Sequence, residues 1–206
     1  MLARWSILIS QTLTATRTLE EITILVAGAA TVVASLVLLP NVHGVIGGGL
    51  AILMIAIAVI DARRFIIPDE LTVAALALGF LHAVLQEPDA VLAALSTAAL
   101  RGAVVAFAFF ALRVLYRRVR GRDGIGLGDV KLAGVAGVWL DWWTIPIAIE
   151  IAALAALAVY ATRLLYRGGS VRSTIKLPFG LFLAPAIWLA WLLDARFLFP
   201  SAPWLQ

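Results

Sequence analysis

The sequence predicts an all-α fold, a polytopic membrane bundle of six to seven transmembrane helices, from three observations. Of the 206 residues, 63% are hydrophobic and only 14% are charged, whereas a soluble domain of this length needs much more polar surface. Mean hydropathy is +1.04. The apolar residues also form long runs, and a helix needs about 20 of them in succession to cross a bilayer. Cysteine is absent, which excludes a disulfide framework, a thiolate zinc site and a cysteine nucleophile.

Seven apolar stretches define the predicted helices in chain order. They cover approximately residues 22–39, 44–60, 70–86, 100–116, 129–141, 143–164 and 179–198. The fifth is too short to span comfortably by itself, so a count of six spans stays open. Residues 88–99 could lengthen the fourth stretch, but Pro88 and Arg101 favour a separate interfacial helix. Residues 1–21 are interpreted as a cytoplasmic tail or surface helix, which leaves residues 22–206 as one membrane-embedded domain.

Basic residues set the expected orientation, because Lys and Arg near the ends of spans collect on the cytoplasmic side. They follow the second, fourth and sixth stretches: Arg63, Arg64, Arg117, Arg118, Arg120, Arg122, Arg163, Arg167, Arg172 and Lys176. The alternate loops contain none. A cytoplasmic N-terminus fits this pattern and places Asp61 and Asp129 at the cytoplasmic ends of their helices. The net charge of +4 then indicates contact with anionic lipid rather than with nucleic acid.

The first acidic motif is DARRFIIPDELT, residues 61–72. Asp61 stands at a helix C-terminus, where the helix dipole disfavours a negative charge, unless a neighbouring arginine pairs with it. Pro68 suits the start of the third helix, since it lacks only a donor that would be unpaired there. Asp69 is then most simply a cap or a first-turn acid.

The second acidic motif is GIGLGDVKL, residues 124–132. Asp129 could cap the helix that follows. A cap does not require the glycines Gly126 and Gly128, however, and the helix dipole disfavours a cation such as Lys131 in a first turn. The glycines leave the backbone free to bend toward a neighbour or a substrate strand.

Two carboxyl groups from separate helices offer a specific chemistry if they converge. They can share one proton, because both cannot easily ionise together. One then acts as a general base on water while the other, protonated, polarises a scissile carbonyl. This chemistry needs no cofactor and no metal, and His43 and His82 share no metal-ligand spacing; each is interpreted as an interfacial histidine.

The two motifs, in this order, resemble the paired motifs of the type IV prepilin peptidase family, membrane aspartyl proteases of the GxGD class. The segment KLPFGLFLAPA, residues 176–186, is similar to the family's last motif, and the similarity covers roughly residues 45–195. The resemblance implies that Asp61 and Asp129 are the catalytic pair. It also implies site-shaping or substrate-binding residues, which are Gly126, Gly128, Lys131, Pro68, Asp69, Pro178, Phe179 and Gly180.

The resemblance further implies cleavage of the basic leader of prepilin or pseudopilin-like precursors at the cytoplasmic face of the inner membrane, in type IV pilus assembly or protein secretion. Longer members carry a methyltransferase region with paired CxxC motifs. This chain has no cysteine and therefore resembles the short, peptidase-only form, without S-adenosylmethionine. Two alternatives stay open: another GxGD intramembrane protease, or a transporter or scaffold without enzymatic activity.

Overall fold

The computed structural model describes residues 21–122, 124–167 and 178–198. These residues form seven α-helices: α1 Glu21–Leu38, α2 Val42–Arg64, α3 Asp69–Gln86, α4 Val91–Arg120, α5 Leu127–Trp139, α6 Thr144–Arg167 and α7 Gly180–Leu193. No strand occurs among the described residues, so the predicted all-α class is confirmed. The predicted tail lies outside the described residues except for Glu21, as do Arg172 and Lys176.

Five of the helices in the described part of the chain are long and apolar enough to cross a membrane, namely α1, α2, α3, α4 with the turn before it, and α6. Helix α5 has 13 residues, and its shortness agrees with the prediction. Helix α7 has 14 residues and is shorter than predicted, because its backbone continues as a π-helical turn over Asp194–Leu198.

Helix α4 is longer than predicted, because it is continuous over 30 residues from Val91 to Arg120. The expected separate interfacial helix over residues 88–99 is wrong, since only Pro88–Ala90 forms a distinct 3₁₀ turn. Arg101 does not interrupt α4. Its guanidinium donates to the carbonyl of Gly137 at 3.3 Å and pairs with the carboxylate of Asp141, so partners at the end of α5 satisfy the charge inside the helix.

Helix α5 lies in the centre of the bundle, packed between α3, α4 and α7. Every residue from Leu132 to Leu140 is buried. Small residues allow this close packing: a Cβ atom added to Gly137 would lie 2.6 Å from the carbonyl oxygen of Arg101 and 2.8 Å from the Cα of Gly102. The backbones of α4 and α5 therefore approach each other as glycine-containing helices do in membranes.

Gly137→Ala is expected to destabilise the bundle, because the new methyl group meets backbone atoms of α4 that cannot rotate away. Overpacking of this kind costs about 1–3 kcal/mol. The apparent melting temperature in detergent measures the effect. Gly134→Ala on the same helix is the matched control, since its Cβ meets nothing closer than Cβ of Ala106 at 3.4 Å and the carbonyl oxygen of Gly102 at 3.7 Å. Equal melting temperatures for the two variants would contradict the expectation.

The two histidines lie inside the bundle, near the start of α2 and the end of α3. His43 and His82 are 4% and 2% exposed, and their rings contact each other edge to face at 5.4 Å. His82 stacks on Trp139 with ring centres 5.1 Å apart. The indole N–H of Trp191 donates to Nε2 of His82 at 3.3 Å. Helix packing thus brings His43, His82, Trp139 and Trp191 into one buried aromatic cluster. The cluster lies at the start of α2, whereas Asp61 lies at the end of that helix.

Candidate active site

Asp61 lies in the last turn of α2 and is 5% exposed. Its Oδ2 accepts a hydrogen bond of 2.9 Å from the backbone N–H of Leu181, in the first turn of α7. The N-terminal amides of a helix have no partner within the helix and favour a negative charge. The start of α7 therefore offsets the unfavourable position of Asp61 at the end of its own helix. No ion pair joins Asp61 to Arg63 or Arg64 among the described residues.

Gly180 sets the distance between α7 and Asp61. A Cβ atom at this position would lie 2.8 Å from Oδ2 of Asp61 and 2.8 Å from Cδ1 of Ile67. Pro178 and Phe179 lead directly into the helix, and the carbonyl of Phe179 accepts the backbone N–H groups of Phe182 and Leu183 at 2.9 Å. The Pro-Phe-Gly turn thus starts α7 where its free amides face Asp61.

Asp129 is the third residue of α5, and its Oδ2 accepts the backbone N–H of Gly126 at 3.0 Å. The carboxylate therefore caps the start of its own helix, which was one of the roles considered for it from the sequence. Gly126 has φ −72° and ψ 153°, and neither it nor Gly128 has a positive φ. Neither glycine adopts a backbone conformation that only glycine can reach. They provide space, because a Cβ on Gly128 would lie 3.0 Å from Cβ of Ile67 and one on Gly126 would lie 3.2 Å from Oδ2 of Asp129.

Ile67 connects the two aspartate-bearing segments, and sequence analysis missed it. Its side chain fills the space next to both Gly128 and Gly180. It is only 6% exposed, whereas its neighbours Phe65 and Ile66 are 56% and 60% exposed. Phe65, Ile66 and Ile67 are three consecutive apolar residues before a proline, so the sequence does not indicate which of them is buried. Only the packing of α5 and α7 identifies Ile67.

The electrostatics of Asp129 indicate that the two carboxyl groups interact. Asp129 lies in the first turn of α5, which is not among the five helices long enough to cross a membrane. Burial raises the pKa of the Asp129 carboxyl, and the negative charge of Asp61 raises this pKa further, while the hydrogen bond from Gly126 lowers it. A carboxyl group with a raised pKa beside a second carboxyl can hold a proton that the pair shares.

The remaining motif residues lie beside this pair. Lys131 forms an ion pair with Asp69, which joins the first turn of α3 to α5 and explains a cation near a helix start. Asp69 is a first-turn acid, as predicted. Pro68 is the residue before α3 rather than its first residue. The carbonyl oxygen of Pro68 accepts two hydrogen bonds from Thr72, one from the backbone N–H at 3.2 Å and one from the side-chain hydroxyl at 2.9 Å.

A groove of about 490 Å³ opens at the Asp69–Lys131 pair and continues between α3, α4 and α5. Its walls are mainly small or apolar side chains, among them Val73, Leu76, Phe80, Ala103, Ala106 and Gly134. Among the described residues, no three His, Cys, Asp or Glu side chains are grouped to hold a metal ion. The site thus consists of two interacting carboxyl groups, each of which accepts a backbone N–H. The groove is lined by Asp69 and Lys131 and by neither of these two carboxyl groups.

Comparisons with known proteins cover this region. The model of the Type IV leader peptidase family matches residues 49–161, which include both aspartates. The prepilin leader peptidase/N-methyltransferase of Dichelobacter nodosus is 32% identical over 143 residues, 69% of this chain and 46% of that relative. The leader peptidase HopD of Escherichia coli is 35% identical over 129 residues, 61% of this chain and 78% of HopD.

The prepilin leader peptidase/N-methyltransferase of Burkholderia pseudomallei strain K96243 is 37% identical over 137 residues, 66% of this chain and 42% of the relative. This chain therefore spans about half the length of the relatives named as peptidase and methyltransferase. No solved structure gives a significant match. The Pro-Phe-Gly turn lies beyond the matched family residues.

Proposed function

This chain belongs to the type IV leader peptidase family, and from that premise we propose that it cleaves the leader of prepilin or pseudopilin-like precursors with Asp61 and Asp129. Membership confirms the family resemblance predicted from the two aspartate motifs, in a multi-pass membrane protein of a peptidase family. The observation that supports the site is the arrangement of the aspartates: the charge of Asp61 acts on Asp129, and each carboxyl accepts one backbone N–H.

In the proposed mechanism, the two carboxyl groups carry one proton between them. In this assignment Asp129 is the protonated partner, and the charge of Asp61 raises its pKa in that direction. It would donate to the scissile carbonyl oxygen and stabilise the charge that develops there. Asp61 would then be the general base that takes a proton from the attacking water. As the C–N bond of the tetrahedral intermediate breaks, the leaving nitrogen takes the proton that Asp61 removed from water. The products are a carboxyl group on the leader and an amino group on the remaining chain, with no covalent intermediate on the enzyme.

The proposed location is the cytoplasmic face of the inner membrane. Exposed arginines surround the end of the bundle that carries the aspartates, including Arg63 and Arg64 after α2 and Arg118 and Arg120 at the end of α4. Positive residues at span ends favour the cytoplasmic side and attract anionic lipid. The apolar groove beside Asp69 and Lys131 suits a precursor whose leader is followed by an apolar segment.

Cleavage of a precursor by the purified full chain tests the proposal. The chain is reconstituted in liposomes containing anionic lipid, together with a membrane-inserted pilin-like precursor, and mass spectrometry identifies both products. We expect one cut that separates the leader from the apolar segment. The same precursor without its leader is the control and stays intact.

Two other outcomes would contradict the proposal. A cut inside the apolar segment would indicate another kind of GxGD intramembrane protease. Absence of cleavage across a panel of pilin-like precursors would favour the transporter or scaffold alternative.

A further inference from the structure

The peptide group between Ile125 and Gly126 is hydrogen-bonded on both of its sides. Its carbonyl oxygen accepts from the guanidinium of Arg113 in α4. Its N–H donates to Oδ2 of Asp129 at 3.0 Å. Because the carbonyl and the N–H belong to one planar amide, a single rigid unit connects Arg113 to the carboxyl of Asp129.

A second contact holds the same loop against α4. A Cβ atom on Gly124 would lie 2.4 Å from the ring of Tyr116, so the loop backbone packs directly on that ring. Arg113 and Tyr116 are both partly buried, whereas Arg118 and Arg120, farther along α4, are exposed. Arg113 therefore differs from Arg118 and Arg120 in exposure.

From these contacts we infer that Arg113 is a positioning residue, which holds the Asp129 carboxyl through the Ile125–Gly126 peptide. A donor on the carbonyl oxygen polarises the amide and strengthens its N–H as a donor, because consecutive hydrogen bonds reinforce each other. The guanidinium also fixes the plane of the amide and thus the direction of the N–H. The inference rests on the proposed function, since it assigns Arg113 to the same reaction.

Arg113→Met removes the donor and keeps an unbranched apolar side chain. Small displacements of a reacting group cost up to about 100-fold in rate, and we expect kcat for precursor cleavage to fall about 10-fold. KM should stay within about twofold, because the inference assigns Arg113 to Asp129 rather than to the substrate, and an orientation defect acts on the chemical step. Arg113→Lys should recover most of the rate, since an ammonium group can still donate to the Ile125 carbonyl.

Arg118→Met is the matched control, because it removes the same charge from the same end of α4 and should keep the wild-type kcat. A wild-type kcat in Arg113→Met, or an equal loss in Arg113→Lys and Arg113→Met, would overturn the inference. Failure of the proposed function is distinguishable from this result, because the wild-type chain would then leave the precursor intact.

A second pair of variants tests the other side of the peptide, should Arg113→Met fail to fold. Gly126 has φ −72°, which is within the range of proline, and proline lacks the N–H. Gly126→Ala keeps the N–H and adds the same Cβ atom. We expect Gly126→Pro to have a kcat about 10-fold below that of Gly126→Ala. Equal kcat values would show that the N–H does not position Asp129 and would overturn the inference.

Discussion

Asp61→Asn and Asp129→Asn are each expected to lower the rate of precursor cleavage by about 100-fold or more, the scale of general acid–base catalysis. Asparagine has nearly the shape of aspartate, and its carbonyl oxygen can still accept the N–H of Leu181 or Gly126. It can neither take a proton from water nor hold the shared proton. The fold should therefore persist while the chemistry stops. Initial rates of leader release in liposomes measure the effect.

Asp89→Asn is the control for these variants, because Asp89 is exposed in the 3₁₀ turn before α4 and lies away from the aspartate pair. The double variant Asp61→Asn with Asp129→Asn should cleave no more slowly than either single variant, since residues that act as one unit are strongly non-additive. Wild-type rates in both single variants would rule out the aspartate pair as the catalytic device.

Gly180→Ala is expected to lower the cleavage rate by about 10-fold to 100-fold, because it displaces Asp61 from its working position. The new Cβ atom would stand 2.8 Å from Oδ2 of Asp61 and 2.8 Å from Cδ1 of Ile67. The carboxyl must then move, and its hydrogen bond to Leu181 is lost or lengthened. Gly48→Ala is the matched control, since its Cβ would meet only Val32 at an ordinary 3.5 Å.

Ile67→Val separates the two contacts that Gly180→Ala creates. Valine has no Cδ1, so adding this change to Gly180→Ala relieves the contact with position 67 and leaves the contact with Asp61. We expect the double variant to stay as slow as Gly180→Ala. Recovery of the rate would assign the defect to Ile67, and a normal rate in Gly180→Ala would show that the start of α7 does not position Asp61.

The existence and order of the helices were predictable because they depend on local composition, whereas the start of α4 and the end of α7 were not. Apolar runs predicted all seven helices, and the short fifth run predicted the short α5. Prediction was wrong for residues 88–99, where a proline and an arginine were taken as a break. The arginine is instead satisfied by Gly137 and Asp141, which lie some 40 residues farther along the chain.

The glycines of the second aspartate motif show a different limit. Sequence analysis attributed Gly126 and Gly128 to backbone freedom, because free conformation is the intrinsic property of glycine. In the structure both have ordinary backbone angles and leave space for Asp129 and Ile67. For Gly128 the residue that needs the space is Ile67, which is separate in the chain and unremarkable in sequence, so its identity was not predictable.

The amino-acid sequence alone determined the membrane class, the order of the helices and the two aspartate motifs at one end of the bundle, because hydropathy and local motifs are properties of neighbouring residues. Tertiary structure decided what holds each carboxyl. Asp61 is bound by Leu181, which is 120 residues away, and Asp129 is connected to Arg113 through one peptide group. Such contacts depend on the distances between α2, α4, α5 and α7. These distances are set by the volumes of the side chains that meet where the helices pack, and those side chains come from different segments of the chain.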